Sequence, residues 1–180
     1  MHQWVQQKEL NNKNEQSVVI VILVATLFFR HFSKIVVCHV SDHRHAELSP
    51  EDMRDVFKET YVDVDKKFDV SECHFKQKDG IGAEVTIVAD GKETVVDSHG
   101  NGRLNAVNHA IKKYFNLDYA LDVYEEHSLS KRSDAQAISY VGIKPAGQEK
   151  LYWGAGTDDD IIKSSIDALV NAVNRYMENK

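Results

Sequence analysis

Residues 83–104 read AEVTIVADGKETVVDSHGNGRL, and residues 135–161 read AQAISYVGIKPAGQEKLYWGAGTDDDI. Each stretch predicts a strand, a glycine turn, a second strand and a Gly-x-Gly segment that leads into an amphipathic helix. The first Gly-x-Gly segment begins at Gly100 and the second at Gly154, which sets the predicted register of the repeat. Because one such unit leaves a sheet face and a helix stripe uncovered, we expect the two units to pack together about a pseudo-twofold axis.

The flanking sequence completes both units. Further strands are predicted at 68–75 and 119–124, and each is followed by a polar loop, at 76–82 and 125–132. The run 134–144 is more continuously apolar, which favours a central strand. The predicted fold class is therefore α+β, with two pseudo-symmetric strand-strand-strand-helix units whose sheets are backed by helices, preceded by a small helical linker subdomain.

The segment before the repeats has two parts. Ser49-Pro50-Glu51-Asp52 predicts a helix start, with serine as N-cap and proline at the first helical position. The apolar run 18–29 is shorter than the about 20 residues of a membrane span, and its flanks do not match a transit peptide. A buried strand, a non-native leader and a signal or anchor stay open for it. We expect a leader at 1–31, a linker subdomain at 32–67 and the repeat domain at 68–180.

Composition excludes some partners. The chain has 180 residues, of which 42% are hydrophobic, enough for a sizeable core. Its formal net charge of −6 argues against nucleic acid and against an anionic membrane, since phosphates are neutralised by clustered Lys and Arg. Its two cysteines, Cys38 and Cys73, do not make a disulfide framework, which favours a reducing compartment. We therefore expect a cytoplasmic protein without a membrane partner.

The glycine segments permit two interpretations. N–H groups at a helix start bind anions, but Asn105 and Asp159 stand where a dinucleotide motif has its third glycine. The acids 158–160 would also repel a phosphate. Either these glycines allow positive φ and close strand-to-helix packing, or they hold a small zwitterion, with N–H groups for its carboxylate at one helix start and acids for its ammonium at the other. The second interpretation points to an amino acid.

Other candidate sites are weaker. Cys38, His39, His43, His45 and the pair Cys73-His74 could be drawn as a metal cluster, but their spacing matches no standard zinc pattern. His127 with Ser133-Asp134 suggests a hydrolase triad, yet no nucleophile-elbow motif accompanies it. Trp153 is expected to lie in the core or in a dimer contact. We expect neither a metal site nor a catalytic residue in this chain.

Several motifs taken together are more specific than a single Gly-x-Gly. They are Gly100-Asn101-Gly102, Tyr124-x-Glu126-His127-Ser128, Ser133-Asp134-Ala135-x-Ala137 with Tyr140-Val141, Trp153-Gly154-x-Gly156-x-Asp158, and Ala172-Val173-Asn174-Arg175. This combination resembles the C-terminal allosteric domain of 2-isopropylmalate synthase. The stretches 32–36 and 47–61 resemble the linker subdomain that precedes that domain in long-form enzymes. The resemblance covers roughly residues 32–178.

The resemblance implies a function. The family condenses acetyl-CoA with 2-oxoisovalerate in a metal-dependent TIM barrel, a step of leucine biosynthesis, and its C-terminal domains dimerise and bind leucine as feedback inhibitor. The chain is thus expected to be a leucine-binding homodimer that needs no cofactor itself, because the divalent metal belongs to the barrel. Carried over by position, the leucine-binding residues would be Gly100, Asn101, Gly102, Ala106, His127, Ser128, Ser133, Asp134, Ala135, Ala137, Gly156 and Asp158.

The chain also departs from the family pattern. Arg103 stands where proline is common, Asn105 where aspartate is frequent, and Lys131-Arg132 where residues are small. The barrel, with its metal ligands and catalytic residues, falls outside the chain, so no stand-alone catalysis is expected. The alternatives are a small-molecule-binding or dimerisation module without catalysis, the regulatory domain of a citramalate synthase, and a part that completes a separate barrel chain. A mitochondrial or plastid location is the alternative to the cytoplasm.

Overall fold

The computed structural model describes residues 40–41, 48–77, 79–129 and 136–180. The chain divides into two compact units, 1–58 and 59–180. In the first unit, helix α1 is Pro50–Phe57, and it begins as predicted. The Ser49 side chain accepts the N–H of Asp52, and the Asp52 carboxylate accepts the N–H of Ser49, so this capping box satisfies two N–H groups at the helix end. The expected leader, 1–31, lies outside the described residues.

The second unit consists of two successive copies of one element order, strand, strand, strand, helix. The first copy is β1 Phe68–Gln77, β2 Ile81–Ala89, β3 Lys92–Gly100 and α2 Arg103–Phe115. The second is β4 Tyr119–Ser128, β5 Ala137–Pro145, β6 Tyr152–Asp158 and α3 Ile161–Glu178. Before them in the sequence, a π-helical turn covers Lys58–Val62. Each copy forms its own antiparallel sheet, ordered β1-β2-β3 and β4-β5-β6, which confirms the predicted α+β class with helix-backed sheets.

The two copies share an irregularity as well as an element order. The ladder between β1 and β2 shifts register between Val70 and Glu72, and the ladder between β4 and β5 shifts between Leu121 and Val123. Both shifts lie near the beginning of the first strand of their copy. A bulge at the same place in both first strands bends both edges alike. The sequence repeat is therefore also a structural repeat.

The register of the repeat differs from the one that the glycine motifs suggest. Strand β3 ends at Gly100 and strand β6 at Asp158, while the N-cap of α2 is Gly102 and that of α3 is Asp160. Both the strand ends and the helix starts therefore match Gly100 with Asp158 and Gly102 with Asp160. The predicted register, which matched Gly100 with Gly154, is wrong. The structural counterpart of Gly100-Asn101-Gly102 is Asp158-Asp159-Asp160.

The core lies between the sheets and their helices. Strand β2 buries Ala83, Val85 and Ile87 at alternate positions, as predicted for a strand with one wet face. Strand β5 is buried throughout 137–143 and lies at the centre of its sheet, which confirms its predicted position. Asn174 on α3 joins the copies, because its side chain accepts the N–H groups of Lys67 and Phe68 and donates to the Phe68 carbonyl. Helix α3 therefore holds the first strand of the other copy.

Three predicted boundaries are wrong. The predicted loop at 76–82 is too long, because β1 continues to Gln77, which pairs with Ile81 at the beginning of β2. The predicted loop at 125–132 begins too early, since Glu125–Ser128 pair with β5 as the end of an edge strand whose residues alternate in exposure. Gly154 and Gly156, predicted to open the second helix, lie inside β6. Their small size allows the strand to lie close to α3.

Among residues 40–41, 48–77, 79–129 and 136–180, none forms a helix long and apolar enough to cross a bilayer. The apolar run 18–29 lies outside these residues.

Candidate functional site

The segment Gly100-Asn101-Gly102 connects β3 to α2 and leaves the helix start open. Gly102 is the N-cap, has an extended φ of −149°, and contributes no side-chain hydrogen bond. The first intrahelical bond runs from the Ala106 N–H to the Gly102 carbonyl at 2.9 Å. The N–H groups of the residues before Ala106 in the first turn therefore have no partner within the helix. They form a positive end that suits an anionic group.

The geometry around this helix start explains its small residues. A Cβ on Gly100 would lie 2.5 Å from the Ala106 nitrogen, so only glycine allows β3 to pass so close to α2. A Cβ on Gly102 would meet no atom within 4 Å, which makes this position open space. Ala106 is fully buried, and its carbonyl accepts the Ser98 hydroxyl at 2.8 Å. The helix start is thus rigidly placed but accessible at Gly102.

Two of the departures from the family pattern, Asn105 and Arg103, have a structural account, while Lys131-Arg132 lies outside the described residues. The Asn105 Oδ1 accepts the N–H of Asn101 at 3.2 Å, a role that an aspartate oxygen would also fill. The Arg103 guanidinium lies over the Phe75 ring, 5.7 Å from its centroid. Arg103 therefore packs on β1, and Asn105 stabilises the loop from within.

The second group of predicted site residues lies at one end of the other sheet. Ser128 pairs with Ala137, and Ala137 pairs with Asp158, so three of them form one rung across β4, β5 and β6. His127 is next to this rung, with its ring centroid 6.4 Å from that of Tyr140 and its Nε2 4.0 Å from a Glu125 oxygen. Within the described residues, that Nε2 has no hydrogen-bond partner. Ser133, Asp134 and Ala135 lie outside the described residues.

Gly156 and Asp158 differ in position from the sequence prediction. Gly156 is in β6, and a Cβ there would collide with the Ser164 carbonyl oxygen and lie 2.7 Å from the Ala168 nitrogen. It is buried against α3, which supports the close-packing interpretation of this glycine. Asp158 lies at the end of β6, where the Lys163 ammonium at 2.6 Å and the Asp160 N–H at 2.9 Å lower its pKa to about 2. Its carboxylate is already neutralised, so it is a poor partner for a ligand ammonium.

The structure brings together a group of hydroxyls that sequence reasoning missed. Ser139 on β5 contacts Ser164 and Ser165 on α3 at 2.6 and 3.1 Å, and the Tyr124 hydroxyl on β4 contacts Ser165 at 2.9 Å. Tyr124 also donates to a Glu126 carboxylate oxygen. Two adjacent serines in the first turns of an amphipathic helix were the available signal. The network ties the strand that carries His127 and Ser128 to the start of α3.

The alternative metal and hydrolase sites gain no support. Four of the candidate metal ligands, Cys38, His39, His43 and His45, lie outside the described residues. Cys73 is a free thiol. Its burial, with a smaller effect of Glu72, raises its pKa to about 11. A thiol with so high a pKa is a poor metal ligand. Among the described residues, no three or more His, Cys, Asp or Glu side chains are grouped to hold a metal ion. Trp153 is 7% exposed and its indole faces Gly142, which confirms that it is buried.

These features define an internally duplicated α+β domain with one open and one capped helix start. The chain belongs to the LeuA allosteric (dimerisation) domain family, whose sequence profile matches residues 47–177. It is similar to the 2-isopropylmalate synthase of Desulfitobacterium hafniense, with 35% identity over 142 residues, 78% of this chain and 25% of that protein.

Two further relatives show the same pattern. The chain is 35% identical over 158 residues to the 2-isopropylmalate synthase of Helicobacter hepaticus, covering 83% of this chain and 28% of that protein. It is 35% identical over 133 residues to the corresponding protein of Mycobacterium ulcerans, covering 72% of this chain and 23% of that protein. The chain therefore spans about a quarter of the length of these relatives.

Proposed function

We propose that this chain is the regulatory region of a 2-isopropylmalate synthase, which binds leucine for feedback inhibition and forms a homodimer. The observation that carries the proposal is the uncapped start of α2 at Gly102, in a chain of the LeuA allosteric (dimerisation) domain family. The condensation of acetyl-CoA with 2-oxoisovalerate would take place in a catalytic domain that corresponds to the part of the relatives not covered here.

The helix start and the end of the second sheet have complementary properties. The carboxylate of leucine would accept hydrogen bonds from the free N–H groups at the start of α2, where Gly102 leaves room. The small residues Gly100 and Ala106 shape the floor of this space. By resemblance to the family, the facing wall would come from the second chain of a dimer. It would consist of the rung Ser128, Ala137 and Asp158, with His127 beside it. The wall also includes 133–135 in this proposal.

The ammonium of leucine needs a partner other than Asp158. That carboxylate is held by Lys163 and by the Asp160 N–H, so breaking the pair would cost free energy before any new contact formed. The His127 Nε2 has no hydrogen-bond partner in the described part of the chain, and it can accept a hydrogen bond when the neutral imidazole carries its proton on Nδ1. We therefore assign the ammonium contact to the His127 side of the wall.

Inhibition would follow from a shift between two arrangements of the dimer. Leucine that contacts both chains binds more tightly to the arrangement in which α2 of one chain faces the sheet of the other. A difference in affinity of about 5–150-fold corresponds to a coupling free energy of about 1–3 kcal/mol. In a longer synthase chain, this bias would reach the catalytic domain through the segment 32–67.

Calorimetric titration of the 180-residue chain with leucine tests the proposal. We expect saturable binding, with one site per chain in a symmetric dimer, and a dimer in sedimentation equilibrium. Isoleucine serves as the matched ligand, because it has the same composition and charge as leucine and differs only in the position of its branch. Absence of heat with leucine, together with a dimer that persists unchanged, would leave only a ligand-free dimerisation module.

A further inference from the structure

A cavity lies between β1 of the first copy and α3 of the second, away from the start of α2. It is bounded by the outer part of β1 and by the first two turns of α3. Its volume is about 190 Å³, smaller than the about 300–1,000 Å³ of pockets for drug-sized ligands. Only a small molecule could occupy it.

The wall of this cavity is apolar. Val70 and Phe75 on β1 face Ile162 and Ile166 on α3, and all four are at least partly buried. Burial of a short aliphatic group against them would remove apolar surface from water, at about 25 cal/mol for each Å². The cavity therefore favours a ligand with a compact apolar tail.

The rim of the cavity carries an excess of negative charge. Glu72, Asp160 and Asp167 line it together with a single cation, Lys163. Lys163 is already paired with Asp158 at 2.6 Å. The rim can thus attract a cation and has no free positive group for an anion.

Asp167 is the acid best placed to bind. It is more than half buried, and desolvation raises the pKa of its carboxyl. Among the described residues, its carboxylate makes no hydrogen bond and no ion pair. Lys66 and Lys163 act on it from a distance, but each is engaged elsewhere, Lys66 with Asp69 and Lys163 with Asp158. A buried carboxylate without a hydrogen-bond partner would gain from an incoming ammonium group.

Comparison of the copies supports this assignment. The start of α2 is Gly100-Asn101-Gly102, uncapped and without acids, whereas the equivalent start of α3 is Asp158-Asp159-Asp160. Equivalent places in the repeat therefore have opposite electrostatic character. The first suits an anionic group, whereas the acids of the second repel an anion, although Asp158 and Asp160 are already engaged by the Lys163 ammonium and the Ile162 N–H.

We propose that the cavity between β1 and α3 is a second ligand site, which binds a small primary amine with a branched aliphatic tail. The ammonium group donates to the Asp167 carboxylate, and the tail packs on Val70, Phe75, Ile162 and Ile166. The site lies away from the start of α2, where the leucine carboxylate is proposed to bind, although Lys163 on its rim pairs with Asp158 of the proposed leucine wall.

Titration of the 180-residue chain with 3-methylbutylamine, followed by amide NMR shifts, tests this site. We expect saturable shifts in β1 and the start of α3, with a dissociation constant on the order of 1 mM. The carboxylate analogue 3-methylbutanoate should not bind there. Asp167→Asn should weaken amine binding about tenfold or more, while the exposed-turn control Asp90→Asn should leave it unchanged.

A second variant covers the case in which Asp167→Asn does not fold. Ser71 is exposed on the rim, so Ser71→Lys should be tolerated and should remove amine binding by placing a competing ammonium there. Gly102→Asp should bind the amine normally, which separates this site from the leucine site. The proposal is overturned if the amine gives no saturable shifts, if 3-methylbutanoate binds as well, or if Ser71→Lys instead disrupts a dimer that covers the cavity.

Discussion

Gly102 and Asp160 occupy the same position in the two copies of the repeat, but only Asp160 caps its helix. Its Oδ1 accepts the N–H of Ile162 at 2.8 Å, while Gly102 has no side chain to do so. Both residues have extended backbone, with φ of −149° and −92°. The difference is thus one of chemistry and not of backbone conformation.

Gly102→Asp should raise stability and abolish leucine binding together. The new carboxylate has open space, and it would cap α2 as Asp160 caps α3, adding a few tenths of a kcal/mol to the free energy of unfolding. It would also occupy the N–H groups proposed to hold the leucine carboxylate and would repel that group. Thermal denaturation and leucine calorimetry on the same sample measure both effects. Gly102→Ala, which adds no carboxylate, should retain most of the binding.

Gly156→Ala should destabilise the fold strongly. The added methyl group would collide with the backbone of α3 at Ser164 and Ala168, which cannot rotate away as a side chain can. We expect a loss of about 3 kcal/mol in the free energy of unfolding, measured by urea denaturation. Gly142→Ala is the matched control, since its methyl group would meet only the Trp153 ring, at 3.2 Å, and should cost about 1 kcal/mol. Equal losses for the two variants would contradict the close-packing account.

The sequence predicted the element order because the spacing of apolar residues and the turn residues repeat. It wrongly assigned Gly154 and Gly156 to the start of the second helix. Gly154 and Gly156 have low strand propensity and precede acids typical of a helix start, so the local signal favoured a turn. Their place in β6 depends on the approach of α3, which is a tertiary contact. Similarly, Glu126 and His127 are polar residues of an edge strand, which local composition does not distinguish from a loop.

The residues of the candidate site could be predicted only in part from the sequence, because some of their contacts also depend on the tertiary structure. The resemblance named Gly100, Gly102 and Ala106, and the structure shows the first two at the end of β3 and the N-cap of α2. It could not reveal that Lys163 neutralises Asp158, because that pair depends on the three-dimensional position of a common surface residue. Nor does any local pattern indicate that Ser139, on another strand, meets Ser164.

Asn174→Ala should uncouple β1 from α3. Asn174 is 1% exposed, and its loss leaves the N–H groups of Lys67 and Phe68 and the carbonyls of Phe68 and Val170 without this partner. Unsatisfied buried groups of this kind cost about 1–3 kcal/mol, so we expect a loss in that range in the free energy of unfolding. Hydrogen exchange should quicken at the start of β1 first. Asn179→Ala, at the exposed end of the same helix, should change stability by less than about 0.5 kcal/mol.

Lys163→Met should flatten the acid side of the stability profile. The Lys163 ammonium, and after it the Asp160 N–H, lower the pKa of Asp158 from 3.8 to about 2 in the folded state, so the folded chain binds that proton less readily than the unfolded chain. The stabilisation is therefore present above pH of about 4 and is lost as the pH falls to about 2. Melting temperatures between these limits measure the slope, which should be smaller in Lys163→Met. Lys144→Met removes a comparable pair with Glu149, whose side chain is 97% exposed and screened by water, and should leave the slope unchanged.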